Sequence, residues 1–373
     1  MHTNAINLNT TPVTLPSSLK EWKAAHPAMD PHWSQPWEAL RTFFQHYGYT
    51  LYIPGQNGHP GQANWSPRPA SSEIFGCYGN IAANYISYFG GDSVVFGARD
   101  RGNRDVVIKV ISKGEEGIEE LRILQYLNSA PLRSHPKNNT ITVLDFLYYL
   151  DWSFIVMPAM TTSSDVPMYS ANEALDFCEQ LLSTLSFLHD YRIAHLDIAS
   201  ENILINYHGE LPERYAHGRR ISPPHPFRAT FPARYVCIDF GISAMFPVSM
   251  PLSQCLTAPT LSTREHRAPE GSIGRLYNPF AADVYQSARL MYGWFMSIVP
   301  AIPGFLDLLQ DMSRDSPAQR ISAADAFRRM RAIRASAPTQ ELWKPTLLDL
   351  QDIPPVPSRN AGEMLDETLK KDL

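Results

Sequence analysis

The stretch His195-Leu196-Asp197-Ile198-Ala199-Ser200-Glu201-Asn202 sets a carboxylate and a primary amide five residues apart, just ahead of the apolar run Ile203-Leu204-Ile205. Facing one cavity, Asp197 could accept the proton of a hydroxyl nucleophile while the Asn202 carbonyl oxygen held a divalent cation. Alone, such spacing is common and describes a solvated turn equally well. Further along, Cys237-Ile238-Asp239-Phe240-Gly241 reads as a strand ending in a carboxylate, then an aromatic residue and a glycine. A hard oxygen ligand at Asp239 could take Mg²⁺ that bridges phosphate oxygens. Upstream, Val106-Val107-Ile108-Lys109 places one ammonium in an otherwise apolar strand, a costly burial unless an anion meets it. Glu120, on the helix that follows, is the expected partner, with Glu119 as the alternative.

These residues need elements to hold them. Residues 1 to about 35 are polar and carry no sustained period. A helix is expected with Pro36 in its first turn and Trp37, Leu40, Phe44 and Tyr47 on one face, then a strand over Tyr49–Ile53 and a loop over 54–72. From about 80 to 158 β-branched and aromatic runs predict strands at Ile86–Phe89, Val94–Ala98, Val106–Ile111, Thr140–Tyr149 and Trp152–Met157. One helix interrupts them, with Ile118, Leu121, Leu124 and Leu127 in a stripe. Beyond 160 the helical period dominates. A capping-box signature at Ser170 and Glu173 opens a long helix, and further helices are expected at 280–297, 303–312 and 322–334. The tail from 336 is Pro-interrupted and is expected to wrap the surface or stay disordered. Strand-rich first and helix-rich second, with a hinge near 158–160, describes two lobes around a cleft, a default place for a ligand.

The chain has 373 residues, 44% of them hydrophobic, enough for a large core or two lobes. A net charge of −5 gives no field that points to nucleic acid. The four cysteines (Cys77, Cys178, Cys237, Cys255) lie far apart without metal-ligand pairing, which favours a reduced, intracellular setting, cytoplasmic or nuclear. The polar N-terminus lacks a secretory core, and the apolar run near Leu290–Pro303 is too short to span a bilayer, so no membrane partner is expected.

Taken in order, the lysine strand, the glutamate helix, the H-x-D-x-x-x-x-N loop and the Asp-Phe-Gly turn resemble the protein kinase superfamily of the eukaryotic type. Ser262-Thr263-Arg264-Glu265-His266-Arg267-Ala268-Pro269-Glu270 is similar to the run that closes the family's activation segment. Asp283-Val284-Tyr285 and Arg320 match its later Asp and Arg, the Arg pairing with Glu270. The resemblance covers roughly residues 85–335 and is closest to divergent fungal kinases. It implies an α+β, bilobal fold with a small strand-rich N-lobe over 81–158 and a larger helical C-lobe over 159–335. The latter would carry an insert at 207–234, with an extension (1–80) docked on the body and a tail over 336–373. It also implies roles. Lys109 would neutralise ATP phosphates and Glu120 would position it. Asp197 would deprotonate a protein hydroxyl, Ser or Thr more readily than Tyr, and Asn202 and Asp239 would hold Mg²⁺. Gly90, Ser93 and Val95 would line the phosphate loop, and Met157, Pro158 and Met160 would meet the adenine.

The departures matter as much. Only Gly90 falls on a glycine position of the phosphate loop, Ser93 standing at the last one, so weak ATP affinity is expected. Leu196 replaces the Arg that usually receives an activation-loop phosphate, which disfavours control through Ser249, Ser253, Thr257, Thr260, Ser262 or Thr263. Ala199 and Ser200 stand where serine/threonine kinases carry Lys-Pro, Glu201 differs from the tyrosine-kinase Arg, and Ala288 replaces a common Gly. Thr263 is expected to brace Asp197, and His195 to play a structural part. Arg214, Arg219, Arg220, Arg228 and Arg234 make the insert either a solvated loop or a dock for an acidic substrate segment. A pseudokinase scaffold and a small-molecule phosphotransferase are the alternatives, the latter weakened by Glu270 and Arg320.

Overall fold

β-Branched residues on both faces make Asp105–Lys113 the central strand of a five-stranded antiparallel sheet. Its order is Thr50–Leu51, Val95–Arg99, Asp105–Lys113, Trp152–Pro158, Asp145–Tyr149. The structure, a computed structural model, describes residues 15–25, 29–52, 75, 77–78, 93–102, 104–166, 168–209, 215–216, 219–220, 226–259, 266–272, 274–346 and 356. The expected strand Ile86–Phe89 and loop 54–72 lie outside them.

The sheet belongs to the first of two compact units, formed by the described residues of Met1–Ile74, Asn80–Leu121 and Val143–Ala159. Described N-terminal residues, Trp22, Trp37 and Phe44 among them, are part of this unit's core. Instead of one helix they form two, Gln35–Ala39 and Arg41–His46, broken at Leu40, after a first short helix Leu19–Ala24. Trp22 and Trp37 are fully buried beside Trp152, Phe96 and Phe154, with Trp22–Trp152 and Trp37–Phe96 ring centres 4.9 and 5.3 Å apart. Both indole N–H groups donate to one acceptor, the Ser93 carbonyl, at 3.1 and 2.8 Å. Thr50–Leu51 then adds the edge strand beside Val95–Arg99, and the Arg41 guanidinium donates to the Leu51 and Tyr52 carbonyls at 2.6 and 2.8 Å. That closes an edge which would otherwise offer bare carbonyls to another strand. Tyr52 donates its hydroxyl to Asp105, which also accepts from Arg99 Nε at 3.1 Å, and burial raises the Tyr52 phenol well above its ordinary value. Trp37→Ala removes both the packing and one indole bond. It is expected to cost about 3–5 kcal/mol, read as a lowered urea midpoint.

The second unit comprises the described residues of Phe75–Gly79, Arg122–Thr142 and Met160–Leu373. Its axis is the helix Ala171–Asp190, whose apolar face carries Phe177 against Tyr235 and Trp294 at 4.9 and 5.1 Å between ring centres. Glu173 reaches back, but to the Tyr169 N–H at 2.6 Å rather than that of Ser170, and the Ser170 hydroxyl makes no cap bond, so neither of the two bonds of the expected box forms. The helices Pro279–Phe295, Phe305–Met312 and Ala323–Ser336 follow where expected. Sheet-dominated and helix-dominated units together make the fold α+β.

One expectation needs correction. The run Thr140–Tyr149 is a strand only from Asp145, because Thr140 pairs in parallel with Cys237 of the second unit and leaves the sheet. The tail is ordered at its start: Thr339–Trp343 is helical and the Thr346 N–H donates to the Tyr169 carbonyl at 2.9 Å. Among the described residues no helix is long and apolar enough to cross a membrane.

Candidate active site

Within the first unit, Lys109 points from the central strand to Glu120, with Nζ 2.7 Å from Oε1 and the two side chains 10% and 5% exposed. Glu119, one position earlier on the helix Ile118–Leu127, faces solvent, which settles the choice of partner. Val95 opens its strand directly opposite Lys109 and is half-buried. Gly90 lies outside the described residues. Ser93 does not present a side chain to a loop. It is 1% exposed, its hydroxyl donates to the Trp22 carbonyl at 2.6 Å, and its own carbonyl holds the two indoles. A phosphate could use only its main-chain N–H. Met157 and Pro158 end the strand Trp152–Pro158 in register with Val107 and Val106, both side chains buried, and half-buried Met160 follows in the second unit.

In the second unit the antiparallel pair Ile203–Ile205 and Tyr235–Cys237 brings Asn202 and Asp239 to the same end of a ribbon. The Ile238 N–H donates to the Asn202 carbonyl at 3.0 Å. Asn202 Nδ2 donates to the Asp197 main-chain carbonyl at 2.9 Å and to its carboxylate Oδ2 at 2.7 Å. With the amide nitrogen so engaged, the Asn202 side-chain oxygen is the donor atom it would offer to a cation. An oxygen donor set of this kind suits Mg²⁺. Among the described residues no group of three or more His, Cys, Asp or Glu forms a closed metal cage. A metal at Asn202 and Asp239 would therefore complete its shell with phosphate oxygens and water.

The loop around Asp197 is held tightly. His195 Nε2 lies 2.9 Å from the Ile238 carbonyl, which can only accept, and Nδ1 accepts the Asp197 N–H at 3.3 Å. This fixes the neutral tautomer and gives His195 the structural part expected of it. The ring also packs on Phe240, centres 4.9 Å apart. Leu196 and Asp239 adopt φ of 66° and 63°, a conformation that costs about 1–3 kcal/mol in a residue with a side chain and persists only when neighbours enforce it. Asp283, completely buried, is one enforcer: it accepts the His195 and Leu196 N–H groups at 2.8 and 2.6 Å. Leu196 itself is buried among Cys255, Ala268, Tyr277 and Phe280, with Phe246 and Met250 packed against them. The chain after Asp-Phe-Gly thus meets an apolar plug where a phosphate receiver would stand. Of the possible phosphosites, Thr257 pairs its backbone with Tyr277, while Thr260, Ser262 and Thr263 lie outside the described residues.

Arg320 spends its guanidinium on Glu270, paired through both carboxylate oxygens, and on the carbonyls of Arg314, Ala281 and Asp315. Lysine cannot reproduce that fork. Arg320→Lys keeps the charge but strands part of these acceptors and is expected to destabilise the second unit by about 1–3 kcal/mol, visible as a lower melting temperature. Arg228, expected in a solvated or docking loop, is instead 3% exposed: it donates to the Tyr235 hydroxyl and to the Ser163 and Val166 carbonyls. It anchors the insert rather than awaiting an acidic partner. The Arg219 and Arg220 backbones form part of a short strand pair, and Arg214 lies outside the described residues. Burial pushes the Cys178 and Cys237 thiols up, Cys237 to about 12, so neither offers a thiolate nucleophile.

Residues 89–300 match the family described as protein kinase domain. The serine/threonine-protein kinase prpf4B of Dictyostelium discoideum is 30% identical over 127 residues, 31% of this chain and 16% of that protein. The serine/threonine-protein kinase shk1/pak1 of Schizosaccharomyces pombe is 27% identical over 128 residues, 33% and 19% of the respective lengths. CBL-interacting protein kinase 31 of Oryza sativa subsp. japonica is 22% identical over 217 residues, 56% of this chain and 42% of that protein. The chain spans less than half the length of each of these relatives.

Proposed function

The chain belongs to the protein kinase family, and from that membership we propose that it transfers the γ-phosphate of ATP to a protein hydroxyl. The observation that carries this reading is the buried Lys109–Glu120 contact, an ammonium held in an apolar strand by a carboxylate, as anchoring the α- and β-phosphates demands. Asp197 accepts the proton of the attacking hydroxyl as its oxygen bonds to the γ-phosphorus. The bond from that phosphorus to the β–γ bridging oxygen breaks, and ADP leaves. Asn202 and Asp239 are the residues that would hold Mg²⁺, whose bound charge offsets that of the phosphates. Val95, Met157, Pro158 and Met160 are assigned to the nucleotide, with the Pro158 carbonyl accepting from the adenine amino group and the Met160 N–H donating to the ring. Ser93 contributes its N–H alone.

Serine and threonine are the proposed acceptors, as in the serine/threonine-protein kinases to which the chain is similar. The Glu270–Arg320 pair favours a protein acceptor over a small molecule. A nucleotide-binding scaffold is the second reading, favoured by the committed Ser93 hydroxyl. Phosphoamino-acid analysis of a generic protein labelled from γ-labelled ATP separates them. Label on serine or threonine is expected. Label on tyrosine alone defeats the acceptor assignment. Stabilisation by Mg-ATP, about 2.7 kcal/mol at 100 times Kd, without any transfer establishes the scaffold instead.

A further inference from the structure

Gln286 stands one helical turn after Asp283 on the helix Pro279–Phe295 and is 2% exposed. Its amide is used in both directions. Oε1 accepts the Ile198 N–H at 3.2 Å and Nε2 donates to the Leu196 carbonyl at 3.0 Å. The Leu196 carbonyl belongs to the peptide that enters Asp197, and the Ile198 N–H to the peptide that leaves it. Two pinned peptide planes fix both backbone dihedrals of the residue between them, and with those the direction of its side chain. Leu196 stores a left-handed φ of 66° immediately before Asp197, so a freed Leu196–Asp197 peptide has a strain to release by rotating. We propose that Gln286 is a positioning residue that aims the Asp197 carboxylate at the acceptor hydroxyl, an inference that rests on reading Asp197 as the proton acceptor.

Asp283 and Gln286 divide the work. The carboxylate takes the two N–H groups ahead of Asp197, and the amide takes one acceptor and one donor astride it. Only a side chain carrying both a donor and an acceptor at this reach can do the latter. Glutamate keeps the acceptor and loses the donor, and methionine keeps the length and loses both.

The test uses the full chain with Gln286→Met and Gln286→Glu, reading steady-state transfer from labelled ATP and amide hydrogen exchange across the loop. Gln286→Met is expected to lower kcat about 10- to 100-fold, the scale of a small misplacement at a reacting centre. KM for ATP should stay within about twofold, because the lost interaction does not touch the nucleotide. The Ile198 amide should exchange faster while the amides of the helix Pro279–Phe295 do not. Gln286→Glu should fall between parent and Gln286→Met in kcat and keep the Ile198 amide slow. Parental kcat in folded Gln286→Met, or unchanged exchange at Ile198, overturns the proposal. If Gln286→Met does not fold, parental kcat in Gln286→Glu overturns it equally. A parent chain that transfers no phosphate sinks the general-base reading, and the exchange comparison then still decides whether Gln286 holds these two peptides.

Discussion

Asp197→Asn is expected to slow phosphoryl transfer by about 10²- to 10⁴-fold, the range lost with a general base. The melting temperature, and its upward shift on adding Mg-ATP, should stay at the parental values. The substituted amide keeps an oxygen for the Asn202 Nδ2 bond, now 2.7 Å long, and the loop backbone is held by His195 and Asp283 rather than by the carboxylate. Only proton acceptance is removed. A variant that melts early would show Asp197 to be structural, and one that turns over at the parental rate would remove it from the chemistry.

Lys109→Met has two expected effects that can be separated. Transfer falls by about 10²- to 10³-fold, as when a preorganised electrostatic contact to the reacting group is deleted. The fold also loses about 3 kcal/mol, because Glu120, 5% exposed, is left as a buried carboxylate without its ammonium. Adding Glu120→Gln removes the stranded charge, so the double variant should regain most of the stability and none of the activity. Urea unfolding of the four chains in the cycle, beside their transfer rates, reads both effects. Equal stability of Lys109→Met and its parent would mean that the pair contributes nothing net to the fold.

The residues assigned to chemistry were legible because each sits in a short segment whose neighbours announce it. Lys109 is the one charge in the apolar run Val106–Ile111, Asp197 and Asn202 precede Ile203–Ile205, and Asp239 closely follows another apolar strand. Side-chain pairing between distant segments is not written in local pattern. Nothing in the spacing said that Trp22 and Trp37 would share the Ser93 carbonyl and bury a serine expected to line the phosphate loop. Composition made Arg228 look solvated, yet its guanidinium finds three oxygen acceptors in the core. Gln286 did leave a signal, its place three residues after Asp283 and so on the same helical face, but an uncharged side chain attracts no attention in a search for titrating groups. The late start of the strand at Asp145 has the same origin, since Thr140 is claimed by Cys237, almost a hundred positions away in the chain.

The proposed role of Asp239 in holding magnesium for phosphoryl transfer is tested most directly by γ-phosphate transfer from labelled ATP to a protein acceptor, run with the parent chain and Asp239→Asn at equal folded concentration. Label accumulating with the parent in Mg²⁺, lost on chelation and lost with Asp239→Asn, is the predicted result. Equal labelling by the two chains would contradict it, since the carboxylate assigned to the metal would then be dispensable.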